Sequence, residues 1–147
     1  MKERLAIAAD HGGFSLKRVL CEYLRQSDYE VLDLGADGTE SVDYPDYAEK
    51  VCNAIVQGTV KRGILVCGTG IGMAITANKF KGIYAAVCAN EFMARMSRAH
   101  NNSNVLCLGG RVIGDEVAKA IVDAWLTTDF AGGRHSRRTD KIKAIEE

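Results

Sequence analysis

One cysteine of this chain stands apart from the rest by its immediate neighbours. Cys67 ends the apolar run Ile64-Leu65-Val66 and leads directly into Gly68-Thr69-Gly70-Ile71-Gly72. If the run is a strand, the thiol lies at its carboxyl end and the glycine loop opens a helix. One base then sits beside several bare backbone N–H groups. Proton abstraction next to a carbonyl needs that pairing, because its transition state is an enolate. A free thiol, with a pKa of about 8.5, is a poor base at neutral pH, and a helix N-terminus lowers it. A tight strand-to-helix turn would use the same glycines without any chemistry. The loop is not a recognisable nucleotide motif: G-x-G-x-x-G would need glycine where Met73 stands, and G-x-x-x-x-G-K-[ST] is absent. A phosphate or an enolate would suit the helix N-terminus it predicts.

Four other groups carry candidate chemistry. Asp10-His11-Gly12-Gly13 puts two ionisable side chains at the end of an apolar run, where Asp10 could equally cap the next helix. His100 falls at helical spacing from Phe92 and Met96, which suits a core histidine. It also opens the polar segment His100-Asn101-Asn102-Ser103-Asn104, where a helix-end imidazole and an amide could act together. Gly109-Gly110-Arg111 comes after another apolar run. Arg134 and Arg138 are four apart and share a face if their segment is helical; they read either as a solvated tail or as a phosphate clamp.

Alternating apolar runs and helical periods must position these groups. Strands are predicted at Leu5 to Ala9, Val31 to Leu34, Gly63 to Val66, Tyr84 to Cys88 and Val105 to Leu108. Helices are predicted at Phe14 to Arg25, Asp46 to Gln57, Met73 to Phe80, Glu91 to Ala99, Asp115 to Leu126 and Thr139 to Ile145. The βαβα alternation implies a parallel sheet with helices on both faces, and ligands bind outside the carboxyl ends of such strands. On this reading Asp10, the Asp43-Tyr44 loop, Cys67 and Arg111 all fall at that edge.

At 147 residues one domain, 1–147, is expected. Equal counts of 19 basic and 19 acidic residues argue against general nucleic-acid binding. No apolar run is long enough to span a membrane. Five cysteines, with no C-x-x-C pair, point to free thiols in a reducing cytoplasm.

The ordered set Ala9-Asp10-His11-Gly12-Gly13-Phe14, Asp43-Tyr44-Pro45, Cys67 to Gly72, Ala77-Asn78-Lys79, Arg98-Ala99-His100-Asn101, Gly109-Gly110-Arg111-Val112 and Gly132-Gly133-Arg134-His135 spans nearly the whole chain. It resembles the ribose-5-phosphate isomerase B family, which includes the galactose-6-phosphate and allose-6-phosphate isomerases. The resemblance implies a Rossmann-like, three-layer αβα fold with a five-stranded parallel sheet. It implies a homodimer, which could pair into a tetramer, with active sites shared between subunits, and neither a metal nor an organic cofactor. The implied reaction interconverts ribose 5-phosphate and ribulose 5-phosphate through an enediolate; a six-carbon substrate such as allose 6-phosphate is the alternative.

The resemblance also assigns roles. Cys67 is the base that moves the proton between C2 and C1, and His100 assists ring opening. Asp10 sits at the sugar ring, and Thr69 helps proton traffic. Gly68, Thr69, Gly70, Ile71 and Gly72, with Asn101, form the anion hole. His11, Arg111, Arg134 and Arg138 bind phosphate, and Tyr44 lines the pocket. Another branch of the family uses a glutamate just after the glycine loop; Met73 occupies that position here and cannot take a proton.

Overall fold

A computed structural model describes residues 2–146. Its elements are β1 (Glu3–Ala9), α1 (Phe14–Gln26), β2 (Tyr29–Asp33), α2 (Tyr44–Val56), β3 (Arg62–Cys67), α3 (Ile71–Ala77), β4 (Ala85–Val87), α4 (Glu91–Ala99), β5 (Val105–Gly109), α5 (Asp115–Thr127) and α6 (Arg134–Ile145). The strands form one parallel sheet in the order β2-β1-β3-β5-β4. No helix among the described residues is long and apolar enough to cross a membrane.

The central strands are apolar without alternation because both faces are covered. Leu5, Ile7, Ile64, Val66, Leu106 and Leu108 point to one face. There they meet Leu16, Leu20 and Leu24 of α1, Ala94 of α4, and Ile121, Val122 and Trp125 of α5. Ala6, Ala8, Leu65, Cys67 and Cys107 point to the other face. They meet Val51 and Cys52 of α2 and Met73 and Ala77 of α3. The small strand residues on this second face let α2 and α3 lie close to the sheet.

The strand order reverses between β1 and β3, so the loops after these two strands flank a crevice at the carboxyl edge. The loop after β2 joins them there. Lys17 of α1, fully enclosed, donates from Nζ to Asp33 Oδ1 and to the Ala36 carbonyl, each at 2.7 Å. The Gly35 N–H donates to the same Asp33 oxygen at 3.0 Å. The backbone of Gly35 and Ala36 then pairs with Ala9 at 2.7 and 2.8 Å.

Every predicted element appears, most with ends moved by a few residues; α3 runs Ile71–Ala77 where Met73 to Phe80 is predicted, and β2 runs Tyr29–Asp33 where Val31 to Leu34 is predicted. The last helix starts at Arg134 rather than Thr139. Gly132 and Gly133, at φ of 65° and 57°, turn the chain sharply, and the His135 and Ser136 N–H groups close that turn onto their carbonyls. Glycine is the residue that takes such a backbone at no steric cost. Arg134 and Arg138 are therefore helical and do share a face. Strand β4 is only three residues long, an edge strand half-open to solvent. Helix α2 begins at Tyr44 rather than Asp46, with Pro45 in its first turn, where a missing N–H costs nothing.

Candidate active site

The glycine loop is built around the cysteine. Gly70 adopts φ of 82°, and a Cβ there would press on the Leu108 backbone at 3.0 Å. This turn brings the Gly70 N–H to 3.1 Å from Cys67 Sγ, to which it donates. Thr69 Oγ1 accepts from the Ile71 N–H at 3.2 Å. The N–H groups of Gly68, Thr69 and Gly72 have no partner among the described residues. A nearly enclosed thiol thus stands beside three unspent donors, which can stabilise an oxyanion without reorganising.

The loop after β1 lies directly against this cradle. Gly13 has no room for a side chain, because a Cβ there would collide with the Val66 carbonyl. Asp10 is 7% exposed, and its Oδ1 accepts from the Gly12 and Gly13 N–H groups at 2.9 and 3.1 Å. This Asx turn, rather than a helix cap, fixes the carboxylate at the crevice. His11 Nδ1 accepts from the Val42 N–H at 3.2 Å. The other ring nitrogen, Nε2, makes no hydrogen bond among the described residues and is free for a ligand.

Two further side chains close over the loop. The Arg111 guanidinium packs on Gly68, 3.4 Å from where a Cβ would stand, and the Arg111 N–H donates to the Gly68 carbonyl at 3.0 Å. The Tyr44 ring covers Gly72 so closely that a Cβ there would lie 2.6 Å from it. Asp10, His11, Tyr44, Cys67, Thr69 and Arg111 accordingly come together at the carboxyl edge of the sheet, as the sequence predicts.

His100, Asn101, Arg134 and Arg138 do not join them. His100 caps the end of α4, which has already run back to the amino edge of the sheet. Gly63 pairs with Val105 and Cys67 with Gly109. About 13 Å of strand therefore separates the start of β5 from the level of Cys67, and His100 lies beyond that start. At the amino edge these residues form a second group. The His100 ring stacks on His135 at a centroid distance of 4.2 Å and 12° between planes. The Ala131 N–H donates to the Ala99 carbonyl at 3.0 Å, fastening the segment before α6 to the end of α4. Desolvation, then the charges of His100, Arg134 and Arg138, hold His135 below the usual imidazole pKa. Sequence reasoning placed no role on His135. The signal was there, in a motif that sets His135 beside Arg134 and one helical turn before Arg138.

The remaining thiols are not poised for chemistry. Burial, then the Asp33 charge, pushes Cys21 up to about 11, and burial alone pushes Cys52 up to about 12. Burial raises Cys88, and burial with the neighbouring thiols raises Cys107 far more. Among the described residues no three His, Cys, Asp or Glu side chains converge as ligands for a metal.

A thiol, a carboxylate and an N–H cradle at the switch point of a parallel αβα sheet define a Rossmann-like protein built for a small anionic ligand. The chain belongs to the Ribose/Galactose Isomerase family, whose model matches residues 5–142. It is 48% identical to ribose-5-phosphate isomerase B of Escherichia coli over 145 residues, 99% of this chain and 97% of that protein. The solved ribose-5-phosphate isomerase B of Clostridium thermocellum superimposes with a TM-score of 0.96 at 53% identity, covering 97% of each chain. Ribose-5-phosphate isomerase B of Mycoplasma genitalium, solved with bound ribulose-5-phosphate, gives 0.94 at 42% identity, covering 99% of this chain and 97% of that one.

Proposed function

We propose that residues 1–147 form one domain that interconverts ribose 5-phosphate and ribulose 5-phosphate, with Cys67 as the base. The observation that carries this reading is the Cys67 thiol beside the unspent N–H groups of Gly68, Thr69 and Gly72. The thiolate takes the proton from C2 and returns it to C1. The N–H groups hold the charge that develops on the enediolate oxygens between those steps. Asp10 meets the sugar hydroxyls, and His11 and Arg111 hold the phosphate at the far end. Binding energy from the phosphate positions carbons that it never touches.

Ring opening needs an acid/base near the sugar oxygen, and His100 is the candidate, with Asn101 beside it. The strand register keeps it away from Cys67 of its own chain. We therefore propose a homodimer in which His100, Asn101, Arg134 and Arg138 of one subunit complete the carboxyl-edge site of the other. The five free thiols suit a reducing cytoplasm.

The family description covers galactose as well as ribose isomerases, so a six-carbon sugar phosphate is the second reading. An isomerisation assay over ribose 5-phosphate, allose 6-phosphate and galactose 6-phosphate decides between them. The highest kcat/KM is expected for ribose 5-phosphate. In the same assay Cys67→Ala should lower kcat by about 10²–10⁴-fold or more, the range for loss of a general base, while sugar phosphate still binds. Wild-type turnover in that variant would remove Cys67 from the mechanism.

A further inference from the structure

At the amino edge of the sheet, away from Cys67, lies a cavity of about 1040 Å³. Its walls carry seven Lys and Arg side chains against two carboxylates, Glu3 and Glu146. The chain as a whole has 19 of each sign, so this excess is a local arrangement. Much of it is unspent. Lys2, Lys61, Lys81 and Lys143 form no ion pair among the described residues. On the cavity wall Arg62 is committed to Glu3 at 2.6 Å, and Arg98 donates to the Thr128 and Ser103 carbonyls. Desolvation, then the nearby Arg62 charge, pulls Arg98 below the ordinary arginine value. Tyr84 also lines the cavity, where desolvation, then the charge of Glu146 and a hydrogen bond with it, raises the hydroxyl above the usual phenol value.

The cations are spread rather than focused. Lys2 and Lys61 stand at the starts of β1 and β3, and Lys81 precedes β4. With β5 between β3 and β4, the strands that Lys61 and Lys81 lead into lie two spacings apart, about 10 Å between backbones. A chain of phosphates, or a molecule with a phosphate at each end, can engage more of these spread cations at once than a lone phosphate can. The volume is at the upper end for small-ligand sites. We propose that this cavity is a second binding site, separate from the Cys67 edge, for an anion bearing two or more phosphate groups.

Inorganic tripolyphosphate is the probe, titrated calorimetrically into the whole protein. Saturable binding to wild type is expected, weakened about tenfold or more by the charge-reversing pair Lys61→Glu and Lys81→Glu. That double variant should turn over ribose 5-phosphate as wild type does. Arg111→Ala should weaken sugar-phosphate binding and leave tripolyphosphate binding intact. Competition by ATP or by fructose 1,6-bisphosphate then tells whether the phosphates belong to a nucleotide or to a sugar bisphosphate. The proposal is overturned by any of four results: no saturable binding to wild type, undiminished binding to the double variant, loss of binding in Arg111→Ala, or inorganic phosphate binding as tightly as tripolyphosphate.

Discussion

Cys67 differs from four other cysteines by its surroundings rather than by its exposure, since all five are buried. Cys21 at about 11 and Cys52 at about 12 are held protonated at neutral pH, and Cys88 and Cys107 are displaced the same way. Only Cys67 receives a backbone N–H donor from a glycine loop. Mass spectrometry after brief iodoacetamide treatment at pH 8 should therefore find Cys67 modified first, and ribose 5-phosphate should slow that reaction. Equal labelling of the five would contradict it. This much was legible in the residues, because a glycine run after a strand can do little except turn tightly and expose N–H groups. The stacking of His100 on His135 was not legible. Neither ring announces a partner that lies 35 residues along the chain, and the contact depends on where α6 begins.

Two elements hold the halves of the site in place, and each can be tested alone. Lys17 ties α1 to the loop after β2, whose Val42 reaches His11. Burial opposes charge on Asp33, but the hydrogen bonds from Lys17 and Gly35 outweigh it and hold that carboxyl below its usual range. Lys17→Met should cost about 1.5–3 kcal/mol, the range for a hydrogen bond to a charged group, read as a lower Tm at pH 7. The Asp33 contribution is present above the unfolded carboxylate pKa and fades only as acid carries the pH through the lower folded value. At the other edge His135 has a depressed folded pKa, so protonation opposes the docking of α6. Stability from this group is full above the unfolded value of about 6.5 and is lost as pH falls towards and through the folded value. Between pH 7.5 and 5.5 Tm should fall, and His135→Gln should flatten that slope. Helical periodicity alone places most of these elements. It missed the true start of α6, because Gly132 and Gly133 read as a loop signal without saying where the loop stops.

For the molecule as a whole, the parallel sheet and its order explain why the sequence could name candidate site residues yet not say which of them meet. Alternation of strands and helices gives the layers, but a helix returns each chain segment to the opposite edge, so Cys67 and His100 end on different sides. The proposed shared site makes a sharp prediction. Cys67→Ala and His100→Ala proteins, each nearly inactive on cyclic ribose 5-phosphate, should regain activity when unfolded together and refolded as a mixture. Random pairing gives half mixed dimers, each with one intact site of two, so about a quarter of wild-type activity should return. A site contained in one chain would regain none.

The sheet that separates Cys67 from His100 also has an evolutionary consequence. In the proposed dimer with shared sites the two edges can decay independently. If the gene were duplicated, one copy could lose its base and the other its ring-opening histidine, and the pair would still function together. Neither copy could then be deleted, so an optional assembly would have become an obligatory partnership of unlike subunits.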